Sequence, residues 1–387
     1  MNKMKENRFE KNRIFAFPKI DPRIFVEEKD GKENRTFYGN RVKMFSSGRS
    51  AVYQAAKLLG LGSGNSVLVP AYHCGVEIEA LISAGVNVHY YKITPRMEVD
   101  KKSVKDSSSN DVKALFVIHY WGFPQDLSWI VAHCQERNIA LMEDCAHALY
   151  SKHGEKVLGT IGKVGIFSLP KTLGSPNGGI LIRNRDCNNV KIEKFKNDWR
   201  AFRSGARSIL EGFGKRSNSR VSMLADGLLS FKNRFSRNDD LKQFNYGETT
   251  LKGYNDGISR LSNYLYNNSD PERIVSRRRK NFLILLEILK SSRGIGISFV
   301  NLGEGVCPLF FPIIVQERDL LKSYLAANKI ETYIFGRNLH PSLKKEKYLE
   351  SKFLSDKILG IPIHQDLDES DMERIGETIK LWSSTKC

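Results

Sequence analysis

Several patterns that mark common protein classes are missing from this 387-residue chain. No run approaches the roughly 18 apolar residues of a membrane-spanning helix, and the first residues contain no apolar core of the secretory-signal type. The six cysteines form no C-x-x-C pair and no cysteine–histidine cluster with zinc-ligand spacing. We therefore expect a cytoplasmic protein with reduced thiols and without a bound metal.

Three catalytic signatures are also missing. The chain contains no G-x-S-x-G elbow, which disfavours a serine hydrolase of the α/β-hydrolase type. It contains no G-x-G-x-x-G turn and no Walker loop, which disfavours nucleotide-hydride and phosphoryl-transfer enzymes. The composition, with 41% hydrophobic and 27% charged residues, is that of a globular protein. A chain of this length can bury a large core in two domains or one large one.

Acidic residues are scarce relative to basic ones, and the formal net charge is +18. The excess is concentrated between residues 191 and 237, where 12 Lys/Arg face four acids. Such a segment attracts anionic partners, although a solvated basic surface is the simplest interpretation. A weak contact with an anionic membrane stays open, because Phe202, Ile209, Leu210 and Phe213 lie among the basic residues. Nucleic-acid binding is disfavoured, since no known binding module accompanies the charge.

Short apolar segments alternate with helical patterns from residue 46 onward. This alternation predicts an α/β domain with a mostly parallel sheet covered on both faces. Strands are predicted at 66–70, 86–91, 112–119, 140–143, 165–169 and 179–182, and helices at 51–59, 77–84 and 127–137. In such sheets, functional residues gather at the carboxyl ends of strands.

The remainder of the chain predicts further units. Helices at 271–289, 319–328 and 368–382, with a strand at 309–315, fit a smaller C-terminal α+β domain. We therefore divide the chain into an N-terminal segment (1–40), a large domain (41–250) and a small domain (251–387). The large domain contains a basic insertion at about residues 187–243.

Two residues near strand ends suggest a particular chemistry. Asp144 follows the apolar strand at 140–143, and Lys171 follows the next predicted strand, in a turn rich in Gly and Pro. Pyridoxal phosphate requires a lysine that binds it covalently, an acid that keeps its ring nitrogen protonated, and donors for its phosphate. The segment 47–50 precedes a predicted helix, whose first backbone N–H groups can bind such a phosphate.

Six segments, in chain order, resemble the sugar aminotransferases of the DegT/DnrJ/EryC1/StrS family. They are similar to that family's patterns S-G-T-S-A, V-P-A-F, H-x-Y-G-x-P-x-D, E-D-A-A-Q-A, its lysine loop and I-L-x-L-P-L-H. In this chain they lie at residues 47–51, 69–72, 119–126, 143–148, 167–171 with 178–179, and 358–364. The resemblance spans roughly residues 40 to 380. It implies an aspartate-aminotransferase-like (fold type I) large domain with a mostly parallel sheet, plus a smaller C-terminal α+β domain.

The resemblance also implies roles for matching residues. Lys171 would hold pyridoxal 5'-phosphate and move the proton between substrate carbon and cofactor, and Asp144 would bind the ring nitrogen. Ala146 would lie against one face of the ring, and His147 would lie near the ring hydroxyl, where the family often has glutamine. The phosphate would be held by Gly48, Arg49, Ser50 and Ser168.

The chain departs from the family pattern at several places. The lysine loop is two residues shorter than usual. The aromatic residue that usually stacks on the ring falls near His73 and Cys74, and His73 could stack instead. The family segment N-Y-R-M, which reaches the phosphate of a neighbouring subunit, survives as residues 253–255, so Asn255 is a candidate for that contact.

Four further residues are candidates for the site. His119 is the last residue of the strand predicted at 112–119, and its alternative role is that of a satisfied polar group at a strand end. Arg337 and His340 lie where the family's substrate-facing loop falls. His364 is more typical of a histidine packed between domains.

The resemblance implies an aminotransferase that moves an amino group from an amino acid, with glutamate as the expected donor, to a keto sugar carried on a nucleotide. The product would enter polysaccharide or secondary-metabolite sugar biosynthesis, and a homodimer is implied. Dehydratase or lyase chemistry on the same fold is an alternative, although the family's dehydratases replace the lysine with histidine. The second alternative is a non-catalytic protein that binds anionic membrane or nucleic acid through residues 191–237.

Overall fold

The computed structural model describes residues 13–26, 38, 41–184, 199–216 and 253–385. The predicted α/β alternation is confirmed there as one seven-stranded sheet, in the order β1-β9-β8-β5-β4-β2-β3. Its strands are β1 (Val42–Phe45), β2 (Ser66–Pro70), β3 (Asn87–Tyr91), β4 (Val112–Ile118), β5 (Ala140–Asp144), β8 (Val164–Ser168) and β9 (Gly179–Arg183). A separate two-stranded ribbon is formed by β6 (Lys152–His153) and β7 (Lys156–Val157).

The large sheet is parallel except at β9, which runs antiparallel to both β8 and β1. β2 and β5 are buried along their whole length, as expected for strands covered on both faces. The carboxyl ends of β2, β4, β5 and β8 therefore meet at one edge of the sheet. Asp144 is the last residue of β5 at that edge, and Ser168 is the last residue of β8.

Helices cover the sheet and continue into the second half of the chain. They are α1 (Gly48–Leu58), α2 (Val76–Ser83), α3 (Lys101–Ser107), α4 (Leu127–Glu136), α5 (Leu169–Leu173), α6 (Trp199–Arg216), α7 (Arg260–Asn267), α8 (Pro271–Leu289), α9 (Arg318–Ala327), α10 (Leu349–Lys357) and α11 (Glu369–Ser384). Short 3-10 turns lie at Pro22–Phe25, Tyr120–Gly122 and Lys345–Lys347. No helix among the described residues is long and apolar enough to cross a membrane.

A second, antiparallel sheet of three strands lies within the predicted small domain. Its strands are β10 (Gly296–Ile297), β11 (Phe310–Ile314) and β12 (Ile358–Pro362). α8 and α11 pack against each other, because their apolar stripes bury Ile274, Phe282, Ile375 and Ile379. The boundary at residue 250 lies outside the described residues and stays a prediction.

One local prediction differs from the structure, and two predicted segments are only partly described. The Gly/Pro-rich turn around Lys171 is the short helix α5, because Pro170 suits a first helical turn and Gly174 ends the helix with a left-handed φ of +63°. In the described part of the predicted N-terminal segment, Ile14 and Ile20 are buried, and Ile14 bridges to Ile330. The predicted basic insertion contains α6, and the rest of it lies outside the described residues.

Candidate active site

A cavity of about 310 Å³ opens at the carboxyl edge of the large sheet. Its walls are the start of α1, the β2–α2 turn, the ends of β4 and β5, and α5. Phe335 joins them from the loop between α9 and α10, called the late loop below. The lining residues are Ser47, Gly48, Arg49, Val52, Cys74, Val76, Glu77, Ile118, Asp144, Ala146, His147, Ile166, Ser168, Lys171 and Phe335. Eight of the fifteen site residues predicted from the sequence line this one cavity.

Lys171 lines the cavity from α5, which forms hydrogen bonds with residues from the second half of the chain. The carbonyl of Thr172 accepts hydrogen bonds from Arg278 at 3.3 Å and from the Gln365 amide at 2.9 Å. Arg278 is fully buried on α8, so this contact fixes the lysine helix against the second half of the chain. Burial opposes the charge of Lys171, but Tyr333, Cys74, Asp144 and Glu77 together raise its pKa above the ordinary value.

Asp144 is buried and lines the same cavity as Lys171. The backbone N–H of Ala146 donates a hydrogen bond to its Oδ1 at 2.8 Å. Burial, followed by the nearby Glu77 carboxylate, raises the pKa of Asp144 to about 6, while Lys171 opposes this rise. A carboxylate whose charge is this costly is well placed to interact with a cationic ligand group.

The start of α1 forms the polar end of the cavity. Ser47 caps the helix by accepting the backbone N–H of Ser50 at 3.1 Å, and the two hydroxyls are 2.9 Å apart. The first N–H groups of a helix have no partner within it, and they favour an anion such as a phosphate. Ser168 faces this end from β8, with its Cβ 3.6 Å from the position that a Cβ on Gly48 would take.

Gly48→Ala should therefore leave the fold intact and weaken phosphate binding. The added methyl would meet protein atoms only at ordinary contact distances of 3.6 Å and beyond, but it would occupy space beside the first amides of α1. We expect an affinity for pyridoxal phosphate about tenfold lower, roughly 1.4 kcal/mol, measured by fluorescence titration of cofactor-free protein. Gly62→Ala is the matched control, because a Cβ there meets nothing within 4 Å. Equal affinities for the two variants would contradict this use of α1.

His147 supplies an independent indication of a ligand. The backbone N–H of Trp121 donates to His147 Nδ1 at 3.3 Å. Burial and the charge of Lys171 hold the pKa of His147 well below its usual value, so the ring is neutral and carries its proton on Nε2. That buried Nε2 has no hydrogen-bond partner among the residues that the structure describes. The cavity therefore contains a donor that lacks an acceptor, as expected if the ring oxygen of a bound cofactor supplies it.

His119, also predicted as a site residue, contacts other protein groups. Its Nδ1 accepts the backbone N–H of Gln125 at 3.2 Å, so its Nε2 donates to Glu143 at 3.2 Å. Glu143 also accepts three backbone N–H groups, from Gly159, Ile161 and Gly162. Burial opposes the charge of Glu143, but these contacts lower its pKa overall. Both ring nitrogens of His119 thus act in a buried network behind the cavity.

Three other candidates lie outside the cavity wall. His73 stacks on Tyr90 at 5.5 Å, and its Nε2 accepts the backbone N–H of His340 at 2.9 Å. His340 Nε2 in turn lies 3.1 Å from Glu79. Asn255 accepts a hydrogen bond from Gln54 on α1 at 2.5 Å.

The remaining two candidates are also peripheral. His364 is buried, with its Nε2 3.0 Å from the carbonyl of Phe15, which fits a packing role. Arg337 is exposed next to the loop residue Gly336. Neither residue is among those that line the cavity.

Sequence reasoning missed Glu77 and Phe335 in the cavity wall. Phe335 packs edge-on against His147 at 4.6 Å, and it arrives from a loop nearly 190 residues away in the chain. Glu77 looked like an ordinary polar residue in the first turn of a helix. Only its position two residues after the Gly75 turn, where φ is +93°, indicates that α2 begins at the cavity.

The model of the DegT/DnrJ/EryC1/StrS aminotransferase family matches residues 34–220. GDP-perosamine synthase of Escherichia coli O157:H7 is 29% identical over 161 residues, which is 41% of this chain and 43% of that protein. The chain thus spans less than half the length of this curated relative. UDP-N-acetyl-3-dehydro-alpha-D-glucosamine 3-aminotransferase of Acidithiobacillus ferrooxidans is 21% identical over 349 residues, 87% of this chain and 82% of that protein.

Solved structures resemble almost the whole chain. The aminotransferase TlmJ from Streptoalloteichus hindustanus superposes with a TM-score of 0.66 at 20% identity, covering 96% of this chain and 93% of its own. The sugar aminotransferase CalS13 from Micromonospora echinospora superposes with a TM-score of 0.66 at 18% identity, and the match covers 96% of this chain and 100% of that chain. Together with the sheet order and the second small sheet, these likenesses define an aspartate-aminotransferase-like, fold type I protein. The family model matches just under half of the chain, so residues 34–220 are similar in sequence to the DegT/DnrJ/EryC1/StrS aminotransferase family.

Proposed function

We propose that this protein is a pyridoxal-phosphate-dependent aminotransferase that transfers an amino group from an amino acid to a keto sugar. One observation carries the proposal: Lys171, Asp144, the start of α1 and the partnerless Nε2 of His147 share a single cavity. These are the amine, acid, anion site and donor that the cofactor needs. A neighbour of similar fold, Spr1654 from Streptococcus pneumoniae, has been solved in PLP and PMP forms (TM-scores 0.69 and 0.68).

Each residue has a separate task in this proposal. When bound, the cofactor supplies an electron sink for the carbon that loses its proton. Lys171 holds the cofactor through Nζ and then carries the proton between carbons, and Asp144 stabilises the positive ring nitrogen. The amides at the start of α1, with Ser50 and Ser168, hold the phosphate. His147 donates its Nε2 proton to the ring oxygen, and Ala146 leaves room beside the ring.

The proposed substrates follow from the family. The overall reaction exchanges a donor's amino group for the keto oxygen of the acceptor, so the donor carbon is oxidised and the sugar carbon is reduced. We propose glutamate as the donor and a nucleotide-linked keto sugar as the acceptor. Relatives include enzymes named for GDP-, UDP- and dTDP-linked sugars. The net charge of +18 suits an acceptor that carries a diphosphate.

The test is a difference spectrum of purified protein with pyridoxal phosphate, before and after glutamate. We expect a band from lysine-bound cofactor, which glutamate replaces with the absorbance of pyridoxamine phosphate, together with one equivalent of 2-oxoglutarate. A subsequent screen of nucleotide-linked keto sugars should restore the first band. A protein that binds the cofactor but never responds to any amino donor would instead favour dehydratase or lyase chemistry.

We further propose a cytoplasmic homodimer, in which Asn255 approaches the neighbouring subunit's phosphate site. Sedimentation velocity should therefore give a mass near twice 44.0 kDa.

A weak membrane contact through α6 is a second proposal. Phe202 and Leu210 are 61% and 43% exposed on this helix, close to the exposed Arg203 and Arg207. We expect the protein to sediment with vesicles that contain phosphatidylserine, less so at high salt, and not with neutral vesicles. Replacing both Phe202 and Leu210 with Ser should abolish sedimentation. The double variant should keep its cofactor absorbance, and binding that survives the substitutions would remove α6 from this role.

A further inference from the structure

The cavity wall contains a second carboxylate, Glu77. It lies in the first turn of α2, directly after the Gly75 turn, and only 4% of the residue is exposed. The backbone N–H of Cys74 donates to Glu77 Oε1 at 2.9 Å, and the Cys74 thiol donates to Oε2 at 2.6 Å. Both residues line the same cavity as Lys171 and Asp144.

We propose that Glu77 is a positioning residue of the cofactor site, which holds the Cys74 thiol at the cavity wall and places a second negative charge beside Lys171. The inference rests on the proposed function and extends it to a pair of residues with no role assigned above. If Glu77 served only to bind the Cys74 N–H at a helix start, a neutral glutamine would serve equally well. A buried carboxylate close to another carboxylate is costly, so its charge must matter to the groups around it.

Those groups lie on several elements of the fold. Glu77 favours the protonated forms of Lys171 and Asp144, and burial followed by the Glu77 charge raises the pKa of the Cys74 thiol well above its usual range. Burial lowers the pKa of His73 to about 4 in spite of Glu77. The titratable and charged groups facing this part of the cavity are His73, Cys74, Glu77, Tyr120, Asp144, His147, Lys171 and Tyr333, with Arg49 at the α1 side.

The consequence concerns the proton on Lys171. Its amine must be deprotonated to bind the cofactor aldehyde, and it must be protonated to return a proton to carbon. The Glu77 charge shifts this balance toward the protonated amine. Glu77 therefore sets the pH range over which Lys171 captures the cofactor, without itself forming a bond to it.

The test compares cofactor-free wild type with Glu77→Gln, which keeps the size of the side chain and an acceptor for the Cys74 N–H. The first readout is the rate at which a thiol reagent labels Cys74, located by peptide mapping. We expect labelling about tenfold faster in Glu77→Gln at fixed pH, the increase in thiolate that a one-unit fall in thiol pKa produces. Glu79→Gln, on the same helix but 3.1 Å from His340 rather than at the cavity, should label like wild type.

The second readout is the rate of pyridoxal phosphate capture as a function of pH, followed by absorbance. The profile of Glu77→Gln should move to lower pH, and that of Glu79→Gln should stay at the wild-type position, because Glu79 contacts His340 and does not line the cavity. Superimposable profiles for Glu77→Gln and wild type, or an equal shift in Glu79→Gln, would overturn the proposal. If wild type captures no cofactor at all, the proposed function fails, whereas unchanged Cys74 labelling in Glu77→Gln refutes the thiol–carboxylate pair independently.

Discussion

Lys171→Ala should abolish transamination and the absorbance band of lysine-bound cofactor. The side chain is half-buried in the cavity, and it is the only lysine among the residues that line it. Proton transfer by a positioned side chain alone contributes about 10²–10⁴-fold to a rate, and Lys171 also provides the covalent attachment. We therefore expect the glutamate half-reaction to slow by at least about 10³-fold. Stopped-flow absorbance after glutamate addition measures this rate directly.

Lys163→Ala is the matched control for this prediction. Lys163 directly precedes β8, the strand that leads to α5, but its side chain is exposed. This variant should keep the wild-type spectrum and rate. Lys171→Ala should still bind pyridoxal phosphate through the α1 amides, Asp144 and His147, with a spectrum typical of the free aldehyde. A lysine-bound spectrum that persists in Lys171→Ala would place the attachment at another residue and falsify the assignment of Lys171.

The local sequence pattern predicted most of the large domain, because each buried strand is a short apolar run between turn residues. The strand predicted at 66–70 is β2, and the helix at 271–289 is α8, in both cases with the same bounds. β1 was missed because it has only four residues, of which only Phe45 is buried, and because its pairing with β9 joins residues about 137 apart in sequence. Local periodicity contains no information about such a partner.

The site was predictable where a residue's chemical type and its position at a strand end agree, as for Asp144 and Lys171. It was not predictable where the fold decides between two roles for one side chain. His119 and His147 each lie near the end of a strand, but one donates to Glu143 and the other keeps a partnerless Nε2 in the cavity. Tertiary contacts alone distinguish them, and the same holds for Phe335, which reaches the cavity from the late loop.

Asp144→Asn should have the second-largest effect, with opposite signs on activity and on stability. An asparagine keeps an acceptor for the Ala146 N–H, so the local fold should persist. Leaving a buried charge without its partner costs about 3–5 kcal/mol, and loss of the acid removes this stabilisation from the cofactor's ring nitrogen. The glutamate half-reaction should therefore slow by roughly 10²- to 10⁴-fold, measured in the same stopped-flow experiment.

The same substitution, Asp144→Asn, should increase the stability of the cofactor-free protein. The pKa of Asp144 is raised from its ordinary 3.8 to about 6, so between these values the folded state binds more protons than the unfolded state. Stability therefore falls as pH rises through this window, and above pH 6 the ionised, buried carboxylate destabilises the fold by up to roughly 3 kcal/mol. Asp144→Asn removes this destabilisation, because asparagine does not ionise. Urea unfolding at pH 7.5 should show a cofactor-free variant more stable than wild type, and the difference should disappear near pH 4. A variant that is less stable at both pH values would mean that the Asp144 carboxylate is stabilised by its surroundings, and that a cationic ring is not needed to balance it.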